Sequence, residues 1–229
     1  MRWDVLALVA AALIGLIWLY RRDRERARRL RGGFFTACLD LFDTYRVVQD
    51  AVDFPVLTGK YRGHEVRLEP IVDHLTLRKL PSLWLRVSVI APVPYQGIFD
   101  LLIRPRGTEF YSPSIDLGHA IRLPPGWPVD ASLRSDDPAR MPPLEIMARH
   151  RFLFEDLRLK EMLVTPKGVR LVYQVQQAER AQYLVMRQVE FADNTLSPPL
   201  ARRLLEAVLA IHASLAANPT PTEQESPPP

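Results

Sequence analysis

Apolar and polar residues follow different patterns in three parts of the chain. The run from Val5 to Tyr20 contains no charged residue, and residues 33–217 switch between the periods of helices and strands. Residues 218–229 contain no apolar side chain except proline, so they cannot offset the entropy that ordering costs. We therefore predict a transmembrane anchor with an arginine-rich collar at residues 1–31, one α+β domain at residues 33–217 and a disordered proline-rich tail at residues 218–229.

The apolar run is long enough to cross a bilayer. Trp3 to Tyr20 is a stretch of 18 residues with one charge, at Asp4, and corresponds to about 27 Å of helix. Trp3, Trp18 and Tyr20 fall where interfacial aromatic residues lie. A cleavable signal peptide would carry its positive charges before the apolar run, and a buried core helix is rarely apolar on every side. These features favour a single-pass anchor.

Seven arginines follow the apolar run, whereas Arg2 is the only basic side chain before it. The seven are Arg21, Arg22, Arg24, Arg26, Arg28, Arg29 and Arg31. Because basic residues stay on the cytoplasmic side, this asymmetry predicts an N-terminus outside and a cytoplasmic main domain. We expect the collar to contact anionic lipid, with a purely topogenic role as the simpler alternative.

Composition limits the cellular compartments and the classes of partner that fit this chain. Cys38 is the only cysteine, which suits a reducing compartment, and arginine outnumbers lysine 26 to 4, which is typical of GC-rich bacterial genes. We therefore predict the bacterial inner membrane. Residues after 31 carry 22 basic and 23 acidic side chains, which argues against nucleic acid as a partner. Ala11 and Gly15, four residues apart, would allow two anchors to pack as a homodimer, although both residues are common in membrane helices.

Helical periods occur near both ends of the main domain. Phe34, Cys38, Leu41, Tyr45, Val48 and Val52 recur at steps of three and four, which predicts a helix over 34–52 that is hinged to the anchor at Gly32-Gly33. A further helical pattern covers 143–160 and is divided near His150. The last helix begins at Ser197, a candidate N-cap, and carries Leu200, Leu204, Val208, Ile211 and Leu215 on one face.

Period-two alternation predicts strands between these helices. We expect hairpins from 55–61 with 65–69, from 83–91 with 98–104, and from 162–165 with 169–176. Single strands are expected at 131–135 and 183–191. The fold class that follows is α+β, with a mostly antiparallel sheet that is covered by helices from both chain ends.

Several familiar active sites are excluded by single residues. Thr58-Gly59-Lys60 matches the end of a phosphate-binding loop, but Phe54 replaces its first glycine and Tyr61 its hydroxyl residue. His64-Glu65 begins like a zinc-protease helix, but Leu68 stands where the second histidine is required. Neither a Gly-x-Ser-x-Gly elbow nor a dinucleotide fingerprint nor a paired-cysteine site occurs, so we predict no metal and no cofactor.

The best catalytic candidates are Asp116 and His119, because a carboxylate that orients an imidazole is the smallest acid–base unit. The sequence places no nucleophile beside them, and an ordinary structural role is the default for each of the five histidines. Cys38 is interpreted as a small buried residue rather than a redox sensor.

Residues 105–129 form the longest stretch without a regular period and contain Phe110, Tyr111 and Trp127. Long irregular segments in compact domains are often functional, and aromatic side chains are frequent interface anchors, so these three residues are candidates for partner binding. The alternative is that the rings close the end of the sheet. We therefore predict a non-enzymatic adaptor at the membrane. A hydrolase that uses Asp116 and His119, or a domain that handles lipid at the bilayer surface, remain as alternatives.

Overall fold

The computed structural model describes residues 3–73, 81–107, 109–177, 191 and 194–218, without the side chains of residues 4–6. The predicted strand at 183–191 lies outside these residues except for Phe191, and the predicted tail lies outside them except for Asn218.

A nine-stranded antiparallel sheet forms the centre of the domain, in the order β1-β2-β3-β4-β9-β8-β5-β7-β6. Helices lie at both ends of the chain, so the predicted antiparallel sheet with terminal helices is confirmed. The α-helices among the described residues are α1 (Trp3–Gly32), α2 (Leu144–Ala148) and α3 (Pro198–Ala216). The strands are β1 (Thr44–Val48), β2 (Val56–Tyr61), β3 (His64–Asp73), β4 (Ser82–Val89), β5 (Phe99–Ile103), β6 (His119–Ile121), β7 (Ala131–Ser135), β8 (Leu159–Thr165) and β9 (Gly168–Gln177).

Two of the three predicted hairpins are confirmed, β2 with β3 and β8 with β9. The pairing of 83–91 with 98–104 is wrong, because β4 lies between β3 and β9 while β5 lies between β7 and β8. Alternation identifies a strand that has one apolar face, but it does not identify the neighbour of that strand. The loop from Ala91 to Ile98 therefore connects two separate parts of the sheet.

The predicted helix over 34–52 is wrong. A 3-10 helix, Thr36–Leu41, is followed by strand β1. Phe34 and Cys38 are buried whereas Tyr45 and Val48 are exposed, so the periodic positions do not share one face. The segment from Thr44 to Val48 is rich in β-branched and aromatic side chains, and its pairing with β2 favours the strand over the helix.

Helix α1 is fixed to the domain at its C-terminal end, in contrast to the predicted glycine hinge. Arg31 Nη1 donates to the Val52 carbonyl at 3.0 Å. Gln49 Nε2 donates to the carbonyls of Arg28 and Asp53, each at 2.9 Å. The helix therefore ends against the loop that follows β1. Among the residues that the structure describes, no helix has an apolar stretch long enough to cross a membrane.

The predicted C-terminal helix is confirmed as α3, which packs on one face of the sheet that we call the inner face. Ser197 occupies the N-cap position, although its side chain makes no capping hydrogen bond. The core joins inward side chains of α3 to the inner face of the sheet; members include Leu204, Leu205, Val208, Ile211, Leu83, Leu85 and Val87. Cys38 is buried as predicted, and its thiol donates to the Leu196 carbonyl at 2.9 Å.

The remaining predicted segments differ in detail. The division of 143–160 near His150 is confirmed, with α2 before it and a 3-10 helix, Arg151–Glu155, after it. The predicted helical pattern extends too far, because β8 begins at Leu159. Residues 105–129 include a short 3-10 helix, Pro113–Asp116, and edge strand β6, so they are less irregular than predicted.

Candidate functional site

The outer face of the sheet, opposite α3, carries a row of charged side chains. In β4, for example, Leu85 and Val87 point inward, so Arg86 between them points outward. The same alternation places charges on the outer face of six strands. We call these seven charged side chains the outer row: Arg67 and Glu69 of β3, Arg86 of β4, Arg170 of β9, Glu161 of β8, Asp100 of β5 and Arg134 of β7.

Tyr111 covers the middle of the outer row. Its carbonyl oxygen accepts from Arg86 Nη2 at 3.0 Å and from Arg170 Nη2 at 3.1 Å. Its ring packs against Trp84 with a centroid distance of 5.7 Å and is almost fully buried. Val172, which lies opposite Arg86 in the register, is fully buried although it points outward. Tyr111 therefore closes the part of the outer face around Arg86 and Arg170.

Two side-chain contacts hold the segment around Tyr111. The Ser112 hydroxyl donates to Asp100 Oδ2 at 2.9 Å. Lys160 Nζ lies 2.9 Å from Glu109 Oε1, and both side chains are buried. Lys160 also donates to the carbonyls of Ile103 at 2.8 Å and Arg104 at 2.6 Å, so its buried charge is compensated by three acceptors. We call residues 109–112, which these contacts hold over the sheet, the covering segment.

Two carboxyl groups are completely buried beneath the covering segment. Arg170 binds Glu161 through both Nε and Nη2, at distances from 2.9 to 3.2 Å. Burial raises the pKa of Glu161, while the charge of Arg170 opposes that increase. Burial, together with repulsion from Glu161, raises the pKa of Asp100 to about 7. Asp100 Oδ1 has no hydrogen-bond partner among the described residues, which makes ionisation of this carboxyl costly.

Another part of the outer face is an open groove of about 770 Å³, formed by β1 to β4 and the end of α1. Phe110 forms one wall of this groove, and its side chain is 55% exposed. Val48, Val56, Ile71 and Val72 supply apolar lining. The groove and the covered part therefore meet at neighbouring residues, Phe110 and Tyr111.

Charged side chains also line the groove. Its arginines are Arg31, Arg46, Arg67 and Arg86, and its carboxylates are Asp50, Asp53 and Glu69. Glu69 Oε2 lies 3.5 Å from Arg67 and 3.6 Å from Arg86. The Arg31 guanidinium lies 5.4 Å from the centroid of the Phe54 ring. Arg46 has no hydrogen-bond or ion-pair partner within the described part of the chain.

Strand β1 is an edge of the sheet and borders the groove. In the described part of the chain it pairs only with β2, and all five of its side chains are exposed. Tyr45 is 51% exposed, Val47 38% and Val48 49%. Exposed edges with apolar side chains are the surfaces to which other strands pair most readily. This edge is therefore a candidate docking surface.

The structure does not join Asp116 to His119. Both side chains are exposed, and no hydrogen bond connects these two described residues. Asp116 lines a second cavity, of about 420 Å³, together with Ser112, Ser114 and Arg134, but His119 does not. Within the described residues, no group of three or more His, Cys, Asp or Glu side chains could hold a metal ion.

The other candidate residues lie in three different settings. Of the aromatic candidates, Phe110 is exposed whereas Tyr111 and Trp127 are buried, as expected if these two rings close the sheet. On α1, five candidate residues are exposed: Trp3, Ala11, Gly15, Trp18 and Tyr20. The collar arginines are exposed as well, except for the half-buried Arg31. Sequence reasoning missed the outer row. A charged residue between two apolar residues of a strand, as in Leu85-Arg86-Val87, indicates a charge on the outer face.

A comparison with solved structures finds similarity to a known fold. No family model matches the chain, and no curated protein matches it. The crystal structure of the mycobacterial trehalose monomycolate transport factor A, TtfA, is similar with a TM-score of 0.40 and 14% identity, over 86% of this chain and 98% of that chain. A TM-score this low supports no inference about the function of this chain.

We predict that Tyr111→Ala destabilises the domain strongly while Phe110→Ala does not. Truncation of a buried ring costs about 3–5 kcal/mol, whereas truncation of an exposed one changes stability little. The measurement is urea unfolding of each variant in the full chain. Equal and small losses for both variants would show that Tyr111 does not close the outer face.

We also predict that Asp100→Asn reduces the loss of stability as the pH rises from acidic to neutral. The pKa of Asp100 is higher in the folded protein than its ordinary value of 3.8, so the folded state holds the proton more tightly. Stability therefore falls as the pH rises from 3.8 to about 7, and the neutral amide removes this loss. Thermal melting at pH 5 and pH 8 measures the effect.

His150, whose pKa is lowered by burial, titrates in both proteins, so its contribution cancels in this comparison. Asp116→Asn, at an exposed carboxyl, is the matched control and should keep the wild-type pH dependence. If the melting temperature of Asp100→Asn fell as steeply between pH 5 and pH 8 as that of the wild type, the proposed burial of a proton at Asp100 would be wrong.

Proposed function

We propose that the protein is a membrane-anchored, non-enzymatic adaptor whose main domain binds a protein partner through strand β1. The observation that carries this proposal is the exposed edge strand with Tyr45, Val47 and Val48. An added strand gains main-chain hydrogen bonds from the edge, and the exposed side chains of β1 supply specificity. The sheet edge is a binding surface that needs no catalytic residues.

The anchor is part of the same proposal and is supported by the sequence. The uncharged run of α1 and the seven arginines after it favour a single span in the bacterial inner membrane, with the N-terminus outside and the main domain in the cytoplasm. Ala11 and Gly15 would then face a second copy in a homodimer. Because Arg31 and Gln49 fix the end of α1 to the loop after β1, the edge strand would be held close to the membrane surface.

The geometry favours an adaptor over a hydrolase. His119 lies outside the cavity that Asp116 lines, so the two groups do not converge on one concave site. Strand β1, in contrast, is an edge strand with Tyr45 and Val47 exposed on one face and Val48 exposed on the face of the groove.

We predict that Val47→Lys abolishes partner capture at β1. A lysine on an edge strand opposes the pairing of a further strand. A photoreactive phenylalanine analogue placed at Tyr45 in the full chain, in cells, should form a cross-link to a protein partner, and Val47→Lys should remove that cross-link. Mass spectrometry of the adduct identifies the partner.

Val129→Lys provides the matched control, because Val129 is 99% exposed and lies outside the sheet. This variant should leave the Tyr45 cross-link intact. Absence of any adduct at Tyr45, or an adduct that survives Val47→Lys, would contradict binding at the edge.

A further inference from the structure

We infer that the groove between β1 and β4 binds a single anionic lipid from the adjoining bilayer. The inference rests on the proposed anchor, because the anchor is what brings the groove to the membrane surface. The occupant has one negatively charged headgroup, which contacts Arg31 and Arg46, and one acyl chain, which lies along the apolar part of the groove.

The size and lining of the groove suit an amphiphile. Its volume of about 770 Å³ falls within the range of sites for small organic ligands. Val48 and Val56 face each other on adjacent strands, and Phe110 closes the far wall. These side chains form an apolar track on a sheet face that otherwise carries charges. An entirely polar ligand would leave this track exposed to water.

The charge distribution favours an anion beside Arg46. Glu69 lies close to both Arg67 and Arg86, and its single charge offsets one of these two charges. Arg31 contacts a carbonyl and a ring, whereas Arg46 has no partner among the described residues. In the register Arg46 lies opposite Thr58, and Thr58 lies opposite Arg67. Asp50 and Asp53 reduce the excess charge of the groove to +1, because it has four arginines and three carboxylates.

The position of Arg31 makes the groove continuous with the collar. Arg31 is the last collar arginine and also lines the groove. The other six collar arginines lie on the same helix, so they raise the local concentration of anionic lipid beside the entrance. Selection of one anionic lipid therefore needs only a small excess charge within the groove.

The test uses the full chain in nanodiscs with a photoactivatable phosphatidylglycerol at low mole fraction, followed by peptide mapping. Cross-links should occur both on α1 and on peptides that cover 44–58 and 67–72. Because one basic contact with an anionic surface changes affinity about fivefold, Arg46→Gln should lower the groove cross-links by about that factor. Cross-links on α1 should not change.

Two further variants test the contribution of the apolar wall to lipid binding and control for the removal of a positive charge. Phe110→Ala removes one apolar wall and should also lower the groove cross-links, whereas Arg122→Gln, at an exposed arginine outside the groove, should leave them unchanged. Arg31 is left intact because it also holds the end of α1.

Each other outcome contradicts the inference in a different way. Cross-links confined to residues 3–31 would show that the protein is anchored but that the groove holds no lipid. Equal groove labelling by a photoactivatable phosphatidylcholine would show that the site is not selective for an anion. Absence of cross-links everywhere, including α1, would overturn the anchor together with the groove. Failure of the Tyr45 cross-link alone would affect only the adaptor.

Discussion

The carbonyl oxygen of Tyr111 accepts hydrogen bonds from two arginines on neighbouring strands, and the arrangement of the outer face depends on this interaction. Arg86 and Arg170 carry like charges on one face of the sheet, so they need acceptors between and around them. Glu69 lies beside Arg86 and Glu161 beside Arg170, and the carbonyl supplies an acceptor that both arginines share. Loss of this carbonyl position would leave two partly buried guanidinium groups without a shared partner, which is costly in a region of low dielectric.

The same interaction separates the open groove from the part of the outer face that Tyr111 covers. Because Tyr111 lies over the middle of the sheet, its neighbour Phe110 projects at the boundary and forms a wall of the groove. The fixed end of α1 forms the opposite boundary through Arg31. The groove, the edge strand β1 and the collar therefore occupy one region of the molecule. This arrangement supports the proposal that partner binding and lipid binding take place at the membrane surface.

Much of the fold could be predicted from local sequence patterns. Strands β2, β3, β7, β8 and β9 and helix α3 follow from alternation and helical period, because each has one face against the core. Strand β1 could not be predicted, because its exposed side chains fit a helical period by chance. The neighbours of β4 and β5 could not be predicted either, since pairing depends on contacts between residues far apart in the chain. Likewise, Asp100 and Glu161 each look like ordinary surface carboxylates in the sequence, and only the covering segment makes them buried.

The division of the outer face is the central claim, and thiol labelling tests it most directly. Cys38 provides a silent background, because it is buried and burial raises the pKa of its thiol to about 11. Thr58→Cys places a thiol in the open groove, whereas Val172→Cys places one beneath the covering segment. The account predicts that a maleimide labels Thr58→Cys rapidly in the folded protein and labels Val172→Cys only on unfolding. Equal rates of labelling for the two thiols would show that Tyr111 does not close the outer face.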